Sequence, residues 1–352
     1  MISDAANHDT AMLRESREAP AAVARLIAGN GALTAALGER LRAHPPRFAV
    51  TCARGSSDNA ATFAKYLFEI RLGVVTASVG PSISSVYQAK LRVAEALFLA
   101  ISQSGRSPDL LHLAESAREE GATTVAVVND AASPLADLSE VVLPLHAGPE
   151  RSVAATKSFI TSLAAGLMIT ADWSNDPALK KAVAALPETL ATALEQDWSG
   201  AIGPLVAARN LYVVGRGTGF AVAQEAALKL KETAGLHAEA VSAAEVMHGP
   251  QALAGPDFPV LVLSQPDETL KGTRDLIGRL RDRGVPVIIA GPAGEGLRER
   301  GVVTLPLAAG VDPLAAPIAL IQSFYPLADA VARERGFDPD RPAHLNKVTE
   351  TV

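Results

Sequence analysis

The sequence predicts an α/β protein built from two copies of one domain, each a doubly wound parallel sheet covered by helices. Three observations carry this. First, the chain repeats itself: Arg54-Gly55 falls on Arg216-Gly217 at an offset of 162 residues, and Ser102-Gln103 falls on Ser264-Gln265 at the same offset. Leu143-Pro144-Leu145 and Ala147-Gly148 fall on Leu305-Pro306-Leu307 and Ala309-Gly310, again 162 residues on. Ordered matches at one fixed spacing mark a duplicated unit. Second, short apolar runs alternate with Ala-rich helical stretches, which is the grammar of βαβ units. Third, the runs are continuously apolar and not alternating, as strands buried on both faces should be.

The elements follow in order. Residues 1–45 read as an N-terminal helical arm, its Ala-rich segments broken at Gly29-Asn30-Gly31 and at Pro45-Pro46. Copy one, 46–175, opens with the run 48–52, a Gly-rich turn and an Ala-rich helix. Further runs lie at 96–101, 124–128 and 141–145, with a helix closed by Gly121 before the third. Residues 176–203 form a linker with helical character. Copy two, 204–335, repeats the order with runs at 211–214, 260–263, 285–290 and 302–307. Residues 336–352 form a polar tail containing Pro339, Pro342 and Lys347.

Composition agrees with two domains, since 352 residues is about twice the usual 150 or so per domain. Hydrophobic residues are 48% and charged residues 20%, enough apolar surface for real cores and too much for a disordered chain. Aromatics are only 4%, so Ala, Val, Leu and Ile must build those cores. The balance of 38 acidic against 32 basic residues argues against a nucleic-acid partner. Cys52 is the single cysteine, which excludes an intrachain disulfide and fits a reducing cytosol. The first residues lack the pattern of a signal peptide. The most apolar stretch, 162–173, is too short to span a membrane. A cytoplasmic, membrane-free protein is expected.

Ligands of such sheets bind beyond the carboxyl ends of the strands. There, Ser102-Gln103-Ser104-Gly105-Arg106-Ser107-Pro108 combines three hydroxyls, an amide, a glycine turn and a helix start. Ser107 suits the N-cap and Pro108 the first helical position. Free N–H groups and the helix dipole supply the ingredients of a phosphate site that needs no lysine, although a single loop of this kind is more often just a capped helix after a Ser-rich turn. Copy two reads Ser264-Gln265-Pro266-Asp267-Glu268-Thr269, where two carboxylates would repel phosphate. The contrast favours an anion site in copy one and a vestigial loop in copy two. Ser56 and Ser57 add hydroxyls at another helix start. Gly215-Arg216-Gly217-Thr218-Gly219 lacks the third glycine spacing of a dinucleotide fingerprint, and no P-loop is present. Lys229 and Glu232 share a helix face, an arrangement that is usually a surface ion pair. Glu245-x-x-His248 occurs once, without the second copy that a carboxylate-bridged metal site needs. Taken alone, His248 reads as a turn histidine. Thr156 and Lys157 follow Gly148-Pro149 at a helix start and read slightly better as packing than as pocket.

Together these pieces resemble the double sugar-isomerase-domain (SIS) family, and within it the isomerase half of the glucosamine-6-phosphate synthases. The resemblance runs from about residue 45 to the end. Its motifs are SQSG (102–105), ATKSF (155–159), LKLKE (228–232), HAEA (237–240), HGP (248–250) and the lysine of HLNK (344–347). It implies two tandem flavodoxin-like SIS domains, no cofactor, and a phosphorylated aminosugar or ketose as ligand. It assigns phosphate to Ser57, Ser102, Gln103, Ser104 and Ser107, and the sugar to Ser56 and Val153. Glu232 would match the base that moves a proton between C1 and C2, and Lys229 the lysine beside it. His248 would match a ring-opening histidine that reaches into the neighbouring subunit's site, hence a homodimer. Lys347 would match a tail lysine able to form a Schiff base with the ketose.

Three departures bear on the direction of reaction. The chain begins Met1-Ile2-Ser3 where the synthases begin a glutaminase domain with a nucleophilic cysteine, and only about 45 residues precede copy one. Ala155 stands where the synthases carry serine, and Arg106 where they commonly carry an acid. The segment ERSVAATKS (150–158) is similar to SIS-type deaminases. The expected activity is therefore deamination of glucosamine-6-phosphate to fructose-6-phosphate and ammonia. The rivals are a fructosamine-6-phosphate deglycase, a galactosamine-6-phosphate deaminase, and a non-catalytic sugar-phosphate sensor.

Overall fold

The structure is a computed structural model and describes residues 9–347. The ends of the predicted arm and tail, 1–8 and 348–352, lie outside the described residues. The arm is helix α1 (Ala11–Arg17) followed by α2 (Ala19–Ala43). Thr10 caps α1, its hydroxyl accepting from the Leu13 N–H. Helix α2 passes unbroken through Gly29-Asn30-Gly31, against the sequence expectation. Tertiary contacts explain it. A side chain at Gly29 would meet the His146 ring at 2.5 Å, and Asn30 Nδ2 donates to the Pro144 carbonyl at 2.7 Å. Such packing offsets the roughly 1 kcal/mol that each helical glycine costs. The helix does stop before Pro45-Pro46, as predicted.

Length and composition also pick out α2, and not 162–173, as the one described helix apolar enough to cross a membrane. Its face bearing Val23, Leu26, Leu37 and Leu41 is buried in this fold, and the helix carries Arg25, Glu39, Arg40 and Arg42.

Copy one then runs β1 (Phe48–Cys52), α3 (Ser56–Leu72), β2 (Thr76–Ser78), α4 (Ser82–Ser85), β3 (Ala96–Ser102), α5 (Pro108–Glu119), β4 (Thr123–Val128), α6 (Pro134–Leu138) and β5 (Val141–Pro144). Helices α7 (Lys157–Ser174), α8 (Pro177–Leu194) and α9 (Ile202–Ala207) lead into copy two. That copy comprises β6 (Asn210–Gly215), α10 (Gly219–Ala234), β7 (His237–Ser242), α11 (Ala243–Val246), β8 (Val260–Leu263), α12 (Leu270–Asp282), β9 (Val287–Ala290), β10 (Val302–Leu305) and α13 (Ala316–Glu334). Each sheet has five parallel strands, ordered β2-β1-β3-β4-β5 and β10-β9-β8-β6-β7. Counted within its own copy, each has the doubly wound order 2-1-3-4-5.

The apolar runs locate four strands per copy; the fifth, β2 or β7, is an addition from the structure. Both are edge strands with exposed positions, so neither has the continuous apolar run of a doubly covered strand. One large apolar core spans both copies, and α3 packs on α7 and α10 while α10 packs on α13. This packing matters for function, because it carries α10 of copy two up to the loops of copy one.

Candidate active site

In the order 2-1-3-4-5 the chain diverges after β1 and β3, which opens a crevice at their carboxyl ends. The loops 53–55 and 103–107 line it. Gly105 makes the second loop possible. Its φ is +62°, and a Cβ there would meet Ser133 Oγ at 2.2 Å. The turn is closed by the Gly105 N–H donating to Ser102 Oγ at 3.0 Å. Ser107 holds the N-cap of α5 with Pro108 behind it, yet its hydroxyl makes no capping bond. That hydroxyl lines the crevice.

A cavity of about 330 Å³ fills this crevice. It brings together Ser56, Ser57, Ser102, Gln103, Ser104, Ser107, Val153, Lys229, Glu232 and Lys347. Ten of the eleven residues singled out from sequence thus meet in one place, although copy one, α10 and the tail are far apart in the chain. His248 does not line this cavity; it is exposed just after α11.

The Lys229 and Glu232 pair is no surface ion pair. Lys229 is 1% exposed, donates to Glu232, and lies 3.5 Å from Glu225 Oε1, which is wholly buried. Asn59 Nδ2 donates to Glu225 at 2.9 Å, and Ser56 also bonds to it. Burial pushes the Glu225 carboxyl above its usual range, with Lys229 opposing and Glu232 adding to the rise. Burial works against the Lys229 ammonium, but Glu225 and Glu232 more than offset this and hold its pKa up. Lys229 is therefore a fixed cation, and Lys229 and Glu232 line the cavity while Glu225 lies behind them.

The tail lysine is held by a second buried carboxylate. Glu150 Oε2 accepts from Lys347 Nζ at 3.0 Å and from Ser158 Oγ at 2.6 Å. Its other oxygen accepts the N–H groups of Thr156 and Ser158 at 3.0 and 3.1 Å. Burial raises this carboxyl, but Lys347 and these hydrogen bonds outweigh it and hold it below the usual range. Lys157 is buried and bonds Glu18, the N-cap of α2, at 2.5 Å, so it packs and does not line the cavity.

Sequence reasoning passed over Glu225 and Glu150. Glu225 carried one usable signal, its place four residues before Lys229 on the same helix face. Glu150 carried none, because its partner Lys347 is 197 residues away.

In copy two the glutamine that corresponds to Gln103 is tied down within the protein. Gln265 Nε2 donates to the Arg216 carbonyl at 2.7 Å and to Asp267 at 2.9 Å. Its Oε1 lies where a Cβ on Gly219 would be, 2.3 Å away, over the start of α10.

Two doubly wound parallel sheets, the first with a hydroxyl-lined crevice at its switch point, place the chain in the α/β class. More particularly, residues 46–171 and 205–321 match the family model of the SIS domain, and the chain belongs to that family. It is 33% identical over 351 residues to the isomerizing glutamine–fructose-6-phosphate aminotransferase of Methanothermobacter thermautotrophicus, covering 98% of this chain and 58% of that protein. The chain thus spans less than two thirds of the length of such relatives. A crystal structure from Silicibacter pomeroyi, described as a candidate phosphosugar isomerase, is 44% identical with a TM-score of 0.88, covering 94% of this chain and all of that one. The C-terminal domain of glucosamine-fructose-6-phosphate aminotransferase from Francisella tularensis is 26% identical with a TM-score of 0.82, covering 97% of this chain and all of that domain.

Proposed function

We propose that this chain is a glucosamine-6-phosphate deaminase that converts its substrate and water to fructose-6-phosphate and ammonia in the cytosol. The observation that carries this reading is the single cavity in which a hydroxyl cradle faces Glu232, Lys229 and Lys347. Phosphate would rest on Ser57, Ser102, Gln103, Ser104 and Ser107 at the start of α5, which fixes the sugar away from its reacting carbons. Ser56 and Val153 would line the sugar. In a homodimer, the partner subunit's His248 would open the ring, as an imidazole can near neutral pH. Glu232 then takes the C2 proton and returns it to C1, while the Lys229 ammonium stabilises the charge that develops on O1. The product imine at C2 is hydrolysed by water, releasing ammonia. Lys347 supplies an amine beside the same carbon, able to exchange with that imine.

Ala155 lines the cavity in place of the synthase serine, which supports release over amination. About 330 Å³ is at the small end of ligand pockets, which supports an ammonia-sized amine over the larger one of a fructosamine phosphate. The test is an assay of ammonia release from glucosamine-6-phosphate and galactosamine-6-phosphate, with release of the free amine followed for a fructosamine-6-phosphate. The expected result is ammonia and fructose-6-phosphate from the first. No turnover of it, with turnover of another phosphosugar, overturns the substrate; binding without any turnover points to the sensor.

A further inference from the structure

The phosphate cradle contains an unassigned ion pair. Arg54 lines the cavity at the end of β1, and its Nε and Nη2 both donate to Asp109 Oδ2, at 2.9 and 2.5 Å. Asp109 is in the first turn of α5 and its side chain is wholly buried, while that of Arg54 is 50% exposed. A buried carboxylate in the first turn is a poor neighbour for a dianion, since both draw on the same positive helix terminus. Arg54 cancels that charge, and its remaining N–H donors are directed away from Asp109 in a fixed fork.

The duplicated copy provides an internal comparison. Arg216 occupies the same repeat position, but Lys271 stands where Asp109 does, 162 residues on. Arg216 instead lies against α12, where a Cβ on Gly272 would meet its Nη1 at 2.5 Å. The arginine recurs in both copies, whereas the carboxylate that fixes it occurs only where the hydroxyl cradle is open.

We infer that Arg54, clamped by Asp109, is a further anion-binding residue of this site. It adds the cradle's own cation and neutralises the carboxylate that would otherwise repel the substrate's phosphate. This rests on the phosphate reading above. A guanidinium held in place before binding loses little freedom when the anion arrives, so the effect falls mainly on affinity.

The experiment measures inorganic phosphate binding by calorimetry, alongside KM and kcat for glucosamine-6-phosphate. Arg54→Ala is expected to weaken phosphate binding and raise KM by at least about tenfold, with a smaller change in kcat; tenfold corresponds to about 1.4 kcal/mol. Arg54→Lys should recover part of the loss. Adding Asp109→Asn to Arg54→Ala should also recover part, because the repulsive charge is gone; this double variant also guards against misfolding. Phosphate binding by folded Arg54→Ala within twofold of the parent overturns the inference while leaving the cradle standing. No phosphate binding by the parent protein overturns the cradle itself.

Discussion

Removing the buried lysine gives the sharpest test of the Glu225–Lys229–Glu232 cluster. Lys229→Met keeps the length of the side chain and deletes the charge. Lys229 and Glu225 have side chains 1% and 0% exposed and lie 3.5 Å apart. At an effective dielectric of about 20, their attraction is about 5 kcal/mol. Breaking a buried pair by removing one partner commonly costs about 3–5 kcal/mol, because the survivor is left charged and unpaired. A loss in that range is expected at pH 7. It should depend on pH with a definite sign. The folded Glu225 carboxyl already lies above its usual range through burial, and loss of Lys229, which opposes the rise, moves it higher. Between the unfolded and folded pKa values the folded state then binds more protons than the unfolded chain, so stability falls as pH rises. The deficit of the variant should therefore be larger at pH 7.5 than at pH 5. Urea unfolding of both proteins at the two pH values measures it, read as a shift in midpoint at equal slope. Adding Glu225→Gln should return much of the loss. A deficit below about 1 kcal/mol at pH 7, or one that does not shrink at the lower pH, would refute this account of the cluster.

Four other outcomes are expected. Glu232→Gln should lower kcat by about 100- to 10,000-fold with substrate still bound, measured by ammonia release and calorimetry. Because the Ser107 hydroxyl makes no capping bond, Ser107→Ala should raise KM while changing stability by less than about 0.5 kcal/mol; a large loss in thermal unfolding would show that it caps after all. Gly105→Ala forces a Cβ into Ser133 Oγ at a φ of +62°, and should cost about 1–3 kcal/mol and weaken phosphate binding together. Glu150→Gln should loosen the tail lysine, seen as reduced trapping of ketose phosphate on Lys347 by borohydride; trapping equal to the parent's would show that Glu150 does not position it.

The duplication, the α/β class and the hydroxyl loop after β3 are all legible in the sequence because they are local or strictly periodic. A continuously apolar run followed by Ser-Gln needs only its own residues to announce a buried strand and a loop at its end. The edge strands β2 and β7 escape this logic, since one side of each faces solvent and no long apolar run is required. The unbroken α2 escapes it as well, because the contacts that tolerate Gly29 and Asn30 come from His146 and Pro144.

By itself, then, the sequence determined which residue types were available: serines at a helix start, a Lys-x-x-Glu pair, a histidine and a tail lysine. The tertiary structure decided which of them line one space. The shared core brings α10 against α3, so Glu232 of copy two overlooks the cradle of copy one. Burial turned an apparent surface pair into a charged cluster by adding Glu225, and Glu150 caught Lys347 from 197 residues away. Side-chain charge is written in the sequence, but its environment is set by what the fold removes from water, and that depends on residues far apart in the chain.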